Sequence, residues 1–324
     1  MVLRRTFRFT LAVAICASAL VTGFRGAAAQ DDPEPAKPVT IANLNLLHGL
    51  FCQPNDTDWC NAPARVEILG KRLEQADCPD LVGLQEINAR LEELLTRLLR
   101  EVCDGEYEIG FEGVGSPDQQ MVLTKLPVLE QGYVDLVHFP WEAYWVRVDT
   151  AQGPVDFLTA HFASSANNPP CDAEACPPIC APGIETNQCH AHEVVDFFAS
   201  REGAALTIVA GDLNAQPDEP TLQTFYDADF IDAWIEANQP ECDPVTGKNC
   251  TGGCDELETA FFGMETREGL ACDARIDFIL LRPDAGCDLV TKAKGFAHKP
   301  LKKPVDGMYW PSDHRGVQAS LRCS

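Results

Sequence analysis

The sequence predicts a mixed α/β fold in which strands and helices interleave without the regular alternation of a barrel. Three observations lead there. Short apolar runs of strand length recur along the chain, stretches of helical period fall between them, and most runs end on or are interrupted by a single polar residue. A hydrophobic content of 45% with 23% charged residues suits a packed chain and excludes wholesale disorder. The 324 residues suffice for one large α/β domain or two modest ones.

The elements follow in order. Val39–Asn45 is an apolar run read as a buried strand. Ala64–Ala76 carries Val66, Leu69 and Leu73 at helical spacing. Leu81–Gln85 reads as a strand, and Asn88–Arg100 as an amphipathic helix with Leu91, Leu94, Leu95, Leu98 and Leu99 on one face and Asn88 as its cap. Further strands are predicted at Gln120–Thr124, Trp145–Val148, Val155–Thr159, Leu206–Ala210, Ile276–Leu281 and Gly316–Leu321. Val194–Phe198 and Pro220–Tyr226 read as helical, and there is no internal repeat. Two cysteine-bearing stretches break the rhythm, Ser164–Cys189 and Pro240–Cys254. They read as disulfide-stapled loops that either shape access to a site or decorate the surface.

Residues 1–29 read as a signal peptide. Arg4, Arg5 and Arg8 precede an apolar run from Leu11 to Val21, and Ala27-Ala28-Ala29 offers a small-residue cleavage site. The run is short for a membrane span. Residues 30–38 are polar and rich in proline, a linker, so structure is expected from Val39 onward, with residues 39–324 forming one domain. Removing residues 1–29 takes away four arginines and no acids, which moves the net charge from -24 to -28. Bulk charge therefore argues against a processive nucleic-acid binder, although a bound cation can reverse the field locally. The chain is thus expected to be secreted, extracellular or periplasmic, and no feature points to a stable protein partner.

Fifteen cysteines are present, and Cys16 would leave with the signal peptide. The fourteen that remain read as up to seven disulfides in an exported chain. A zinc site at Cys171, Cys176, Cys180 and Cys189 is the alternative.

Hydrolysis of a phosphate ester needs carboxylates to hold a divalent cation, donors for the developing charge, and groups that orient water and protonate the leaving oxygen. The sequence places such groups where apolar runs end. Asn45 closes the first strand in Asn-Leu-Leu-His-Gly, Glu86 stands in Leu-Gln-Glu, and His161 in Thr-Ala-His. Asp212 and Asn214 lie in Gly-Asp-Leu-Asn, Asp277 in Arg-Ile-Asp-Phe, and Asp313 with His314 in Ser-Asp-His. Simpler readings exist: an Asx turn at Asp212 and Asn214, or an ion pair of Asp277 with Arg275 or Arg282.

Taken in this order, and with Gln120–Pro127 between them, these motifs resemble the endonuclease/exonuclease/phosphatase superfamily over about Val39–Cys323. The resemblance implies a four-layer α/β/β/α sandwich of two packed mixed β-sheets with helices outside. It implies metal ligation by Glu86, with Asn45 beside it and Asp313 as a further ligand, and Mg²⁺ (or Mn²⁺ or Ca²⁺) as the ion. Asp212 would orient or deprotonate the attacking water, Asn214 would donate to the phosphate, and His314 would lie against it with Asp277 on its other ring nitrogen. His161 would be a second phosphate-side or acid/base histidine. His48, His138, His190, His192 and His298 match no motif and are read as non-catalytic. The acid and tyrosine of nuclease-like members find no secure counterpart; Glu142 and Tyr144 are candidates, and Arg147 reads as structural.

The resemblance implies a phosphodiester substrate. DNA is the first expectation, and a phospholipid, as for bacterial sphingomyelinases, is the second. The lipid reading would use exposed aromatics in transient membrane contact, at Phe139-Pro140-Trp141 or around Trp310 in Met308-Tyr309-Trp310. A catalytically silent binding module on the same fold is the third.

Overall fold

The computed structural model describes residues 37–323 apart from 50–57, 111–118, 139–140, 165–167, 172–175, 253, 255–262, 270, 285–286 and 288. The expected signal peptide and most of the expected linker, Cys52, and Phe139-Pro140 lie outside the described residues. Among the described residues no helix is long and apolar enough to cross a membrane.

Two six-stranded sheets form the centre. The first contains β1 (Val39–Asn45), β2 (Leu81–Ile87), β3 (Glu108–Gly110), β4 (Gln119–Thr124), β11 (Leu289–Phe296) and β12 (Gly316–Cys323), in the order β11-β12-β1-β2-β4-β3. The second contains β5 (Val128–Asp135), β6 (Glu142–Val148), β7 (Val155–His161), β8 (Leu206–Asp212), β9 (Ile231–Asp232) and β10 (Asp277–Pro283), in the order β5-β6-β7-β8-β10-β9. Each sheet has one parallel pair at its middle, β1 with β2 and β7 with β8, and antiparallel neighbours elsewhere. Parallel strands buried on both faces need near-continuous apolar sequence, which is why these four were legible as runs.

Ile41, Leu81, Val122, Val146, Phe157, Ile208, Ile279 and Val317 form the seam between the sheets. On the outer face of the first sheet lie α1 (Asp58–Gln75) and α2 (Ala89–Leu98), packed through Val66, Leu69, Leu91 and Leu95. On the outer face of the second lie α3 (Thr186–Ala199) and α4 (Pro220–Asp227), packed through Val194, Phe198, Leu222 and Phe225. A short α5 (Ala233–Glu236) follows β9. The result is the four-layer sandwich that the sequence motifs imply. Asn88 caps α2 as expected, its side chain accepting from the N–H groups of Arg90 and Leu91.

Four strands had no clear sequence signal, β3, β5, β9 and β11. All four are sheet edges, and β5 (VLEQGYVD) is half or fully exposed along its length. Edge strands bury little, so their sequence need not alternate.

Cys78–Cys103, Cys171–Cys176, Cys180–Cys189, Cys242–Cys250, Cys254–Cys272 and Cys287–Cys323 are disulfides. Cys60 is also disulfide-bonded. The pairing of all four cysteines between Cys171 and Cys189 removes the zinc alternative, because a disulfide sulfur carries no thiolate to offer a metal. The pairs fit the oxidising environment outside the cytoplasm.

The turn after β5 is fastened to α3 through both backbone polar groups of one residue, Val137. Glu193 accepts from the Val137 N–H at 3.0 Å, and the His190 ring donates to the Val137 carbonyl at 2.8 Å. Burial raises the Glu193 carboxyl from the usual 4.5 to about 7, against the lowering effect of that N–H. A carboxyl that holds its proton more tightly when folded loses stability as pH rises through its folded value. Unfolding free energy is therefore expected to fall between about pH 4.5 and about 7 through this group. Glu193→Gln should flatten that slope in thermal melts compared at acid and neutral pH, and an unchanged slope would remove Glu193 as its source.

Candidate active site

The site lies where the two sheets share a rim. The parallel pairs β1/β2 and β7/β8 deliver their C-terminal ends there, and the antiparallel neighbours β10 and β12 begin there. Register does the rest: His161 stands opposite Asp212, and Asp212 stands opposite Asp277. Gly211 makes the close approach of β8 to β7 possible, because a Cβ there would sit 2.0 Å from the Ala160 carbonyl oxygen.

Glu86 is placed by an irregularity rather than by a strand end. The pairing of β2 with β4 shifts register between Leu84 and Ile87, and Glu86 has φ 59°. A bulge with a left-handed non-glycine residue costs energy and re-aims a side chain. Here it brings the Glu86 carboxylate to Asn45, whose amide donates to Glu86 Oε1 at 2.8 Å and to Asp212 Oδ2 at 3.0 Å. The Asn45 Oδ1 accepts from the Leu47 N–H at 3.0 Å, which fixes the amide's orientation. Asn45, expected beside the metal ligands, thus acts as the donor that holds two carboxylates together.

The remaining groups close around this bridge. His161 Nε2 lies 3.5 Å from Asp212 Oδ2 and 4.0 Å from Glu86 Oε1. His314 Nε2 lies 3.7 Å from the same Asp212 oxygen, and its Nδ1 lies 3.1 Å from Asp277 Oδ2. That contact fixes the proton of His314 on Nδ1, where the carboxylate accepts it. Arg275 pairs instead with Asp232 at 2.7 Å and Glu241 at 2.9 Å, so the alternative ion pair for Asp277 does not form with it. Asn214 (φ 47°) donates its backbone N–H to Asp212 Oδ1 at 3.0 Å and its side-chain amide to the Phe162 carbonyl at 2.9 Å. The Asx turn and the site placement thus coexist. Asp313 is joined to the set through Ser312, whose hydroxyl is 2.6 Å from the Asn45 carbonyl and 3.1 Å from Asp313 Oδ1.

His48 is the residue that sequence reasoning set aside and the structure brings in. Its backbone N–H donates to Glu86 Oε2 at 2.9 Å, and its ring Nε2 lies 3.5 Å from the same oxygen. Leu47 (φ 56°) and Gly49 (φ 77°) turn the chain back after β1 to allow this. The available signal was proximity, three residues beyond a strand end that carries Asn45. Behind this turn Arg65 is fully buried and donates to the carbonyls of Leu46, Leu47, Trp59, Cys60 and Pro311. One guanidinium therefore ties the segment after β1 to the segment before Asp313.

Four other candidates resolve differently. Trp310 is 2% exposed, packs with Leu47, Ile68 and Met308, and donates its indole N–H to the Thr266 carbonyl at 2.9 Å. A membrane contact in this region would therefore not run through Trp310 itself, since a satisfied, buried indole presents no apolar surface to a bilayer. Tyr144 lies in the seam between the sheets, and Arg147 makes a two-point ion pair with Asp156 at 2.7 and 2.8 Å. Trp141 is half-buried and meets the His161 ring edge-on at 5.3 Å.

The electrostatics divide the acids. Burial would raise the Glu86 carboxyl, but His48, His161 and the Asn45 amide outweigh it and hold the group at about 2. Asp277 and Asp313 are raised, first by burial and then by neighbouring carboxylates, with His314 opposing. Burial disfavours the His314 cation, yet Asp277, Asp212 and Asp313 together raise it well above the usual imidazole range. The site therefore favours the anion of Glu86 and the cation of His314.

Glu86 and Asp313 offer hard anionic oxygens of the type Mg²⁺ prefers. The ligand atoms of Asp212, Asp277 and His314 also lie within 4.8 Å of one another. The hydrogen bond between His314 Nδ1 and Asp277 Oδ2 occupies part of that cluster.

The family model described as "Endonuclease/Exonuclease/phosphatase family" matches residues 42–314. Solved structures share the fold. An endonuclease/exonuclease/phosphatase family protein from Bacteroides thetaiotaomicron superimposes with TM-score 0.64 at 14% identity, covering 90% of this chain and 100% of that one. The corresponding protein from Bacteroides vulgatus gives 0.62 at 17%, covering 89% and 99%. TDP2 from D. rerio, complexed with a single-strand DNA product, gives 0.61 at 16%, covering 88% and 99%. No curated protein matches the chain.

The Asn45 bridge makes a prediction. Asn45→Ala leaves Glu86 and Asp212 without their shared donor, and hydrogen bonds to charged groups contribute about 1.5–3 kcal/mol each. Chemical denaturation should show a loss on the order of 2–4 kcal/mol, the range of one to two such bonds less water compensation. Wild-type stability in this variant would show that the bridge holds nothing.

Proposed function

The chain belongs to the endonuclease/exonuclease/phosphatase family, and on that premise we propose that it is a secreted, divalent-metal-dependent phosphodiester hydrolase acting on nucleic acid. The observation that carries this reading is Asp212. It sits between His161 and His314, holds the Asn45 amide, and faces the Glu86 carboxylate across that amide. Such a carboxylate is placed to orient a water and accept its proton.

The division of labour follows from the geometry. Glu86 and Asp313 would hold the cation, with Asn45 and His48 keeping Glu86 in place. When bound, the ion supplies Lewis-acid charge stabilisation at the phosphoryl oxygens. His314, kept cationic by three carboxylates, offers Nε2–H to a phosphate oxygen, and Asp277 prevents the ring from turning. Asp212 takes a proton from the attacking water as the new P–O bond forms. The bond to the leaving oxygen breaks, and His161 is positioned to return a proton to it. Asn214, held beside Asp212, has its remaining amide hydrogen for the phosphate.

Nucleic acid is favoured among phosphodiesters by the likeness to TDP2 in complex with a single-strand DNA product. Export is supported by the leader-like residues 1–29 and by the disulfides. The phospholipid alternative loses its main structural candidate with the burial of Trp310.

Purified protein is expected to nick plasmid DNA with Mg²⁺ and to stop in EDTA, while sphingomyelin vesicles assayed in parallel stay intact. His314→Ala should lower turnover by about 100-fold or more, the range for loss of a group that stabilises transition-state charge. Activity that survives EDTA or this substitution would overturn the mechanism, and cleavage of the vesicles alone would overturn the substrate.

A further inference from the structure

The loop from Pro240 to Cys254 packs directly behind the Asp277–His314 pair. We propose that Thr251, carried on this disulfide-closed loop, is a positioning residue that locks Asp277 and His314 to one another. The proposal rests on the functional reading above and adds to it the part of the chain that holds the pair in register.

Thr251 is fully buried, and its polar groups are spent on the two segments that carry the pair. On the Asp277 side its N–H donates to the Ala274 carbonyl at 2.8 Å, and its hydroxyl oxygen accepts the N–H groups of Ile276 at 3.1 Å and Asp277 at 3.0 Å. On the His314 side its carbonyl accepts the Arg315 N–H at 2.8 Å. Asp277 gives Oδ2 to His314, and its buried Oδ1 has no hydrogen-bond partner among the described residues. The threonine thus fixes the backbone of the residue that orients the histidine.

The neighbours of Thr251 make the loop stiff. Cys242–Cys250 closes it across a separation of 8 residues, and Cys254–Cys272 ties its far end to the segment that leads into Asp277. Arg275 reaches back to Glu241 at 2.9 Å, and Arg315 reaches back to the Gly247 carbonyl at 2.7 Å. So the residue two before Asp277 and the residue after His314 are both clasped by the same loop. Gly252 completes the fit: a Cβ there would come within 2.3 Å of the Ile276 side chain and 3.3 Å of His314 Cε1. Alignment of a phosphate-binding histidine and the carboxylate that orients it to within a fraction of an ångström needs a supporting shell of this kind.

The test compares Thr251→Val, which keeps shape and removes the hydroxyl, with Thr251→Ser, which keeps the hydroxyl. The substrate is bis-p-nitrophenyl phosphate with Mn²⁺ or Mg²⁺, and His314→Ala is the reference. The second readout is the downfield imidazole proton resonance of His314 Nδ1–H in the metal-free protein, assigned by its loss in His314→Ala. Thr251→Val should lower kcat at least tenfold with KM within twofold, and should lose or broaden the resonance. Thr251→Ser should restore both to within about threefold of wild type. If Thr251→Val does not fold, Thr251→Ala, which leaves room for a water, is read by the same criteria. Wild-type kcat and an intact resonance in the folded variant lacking the hydroxyl, with His314→Ala inactive, would overturn this inference alone. Failure of Thr251→Ser to restore what Thr251→Val loses would overturn it as well. Undiminished turnover in His314→Ala would instead overturn the functional reading on which it rests.

Discussion

The interaction on which the site depends is the Asn45 amide, which joins a carboxylate from each sheet. Glu86 belongs to the first sheet and Asp212 to the second, and both accept from the same nitrogen. Two anions about 4 Å apart at an effective dielectric of 20 repel by about 4 kcal/mol, so a dry rim cannot bring acids together without donors between them. The rest of the site supplies those donors one by one. Glu86 takes the His48 N–H, Asp212 takes the Asn214 N–H, Asp277 takes the His314 ring, and Asp313 takes the Ser312 hydroxyl. Ser312 also reaches the Asn45 carbonyl, and Arg65 binds the carbonyls on either side of this meeting point. The buried polar residues at the rim are thus consequences of one requirement, that four acids converge where two sheets meet.

That requirement explains what could be read from the sequence. A carboxylate or histidine that ends a buried strand interrupts an apolar run, and the interruption is visible. Asn45, His161 and Asp212 stand at strand ends, and Asp277 begins a strand paired directly with Asp212. Their gathering follows from topology once the strands are known. What stayed hidden lacks such a signal. Glu86 was expected at a strand end, whereas it is aimed by a bulge whose left-handed backbone leaves no mark in a Leu-Gln-Glu sequence. His48 reaches Glu86 through a turn set by Leu47 and Gly49, and a turn that forces φ positive on leucine is not foreseeable from propensity. Trp310 was misread for the opposite reason. Its place next to Ser312 suggested a rim aromatic, but a satellite core under the loops buries it.

The cysteine-rich stretches were legible as stapled loops and ambiguous in purpose. The structure separates them from surface decoration by what they touch. The first leads through Cys189 into α3, which carries His190, and His190 packs on Phe162 and Trp141 beside His161. The second carries Thr251 against Asp277. Each catalytic histidine candidate therefore has a cross-linked segment at its back. Covalent closure limits how far such a segment can drift, which matters most for residues whose alignment is needed and whose own strand ends there.

The charge distribution completes the argument. A chain of net charge -24 has no bulk attraction for a phosphodiester anion, so recognition must come from inside the site. Opposed shifts in one small space provide it. Glu86 is held at about 2, so it remains an anion for a cation to bind, while His314 is raised well above the imidazole range by the acids around it. Acid and base roles are assigned by environments that push titrating groups apart. The same acids that make the protein repel its substrate at long range thus create, at short range, the cation that would receive it.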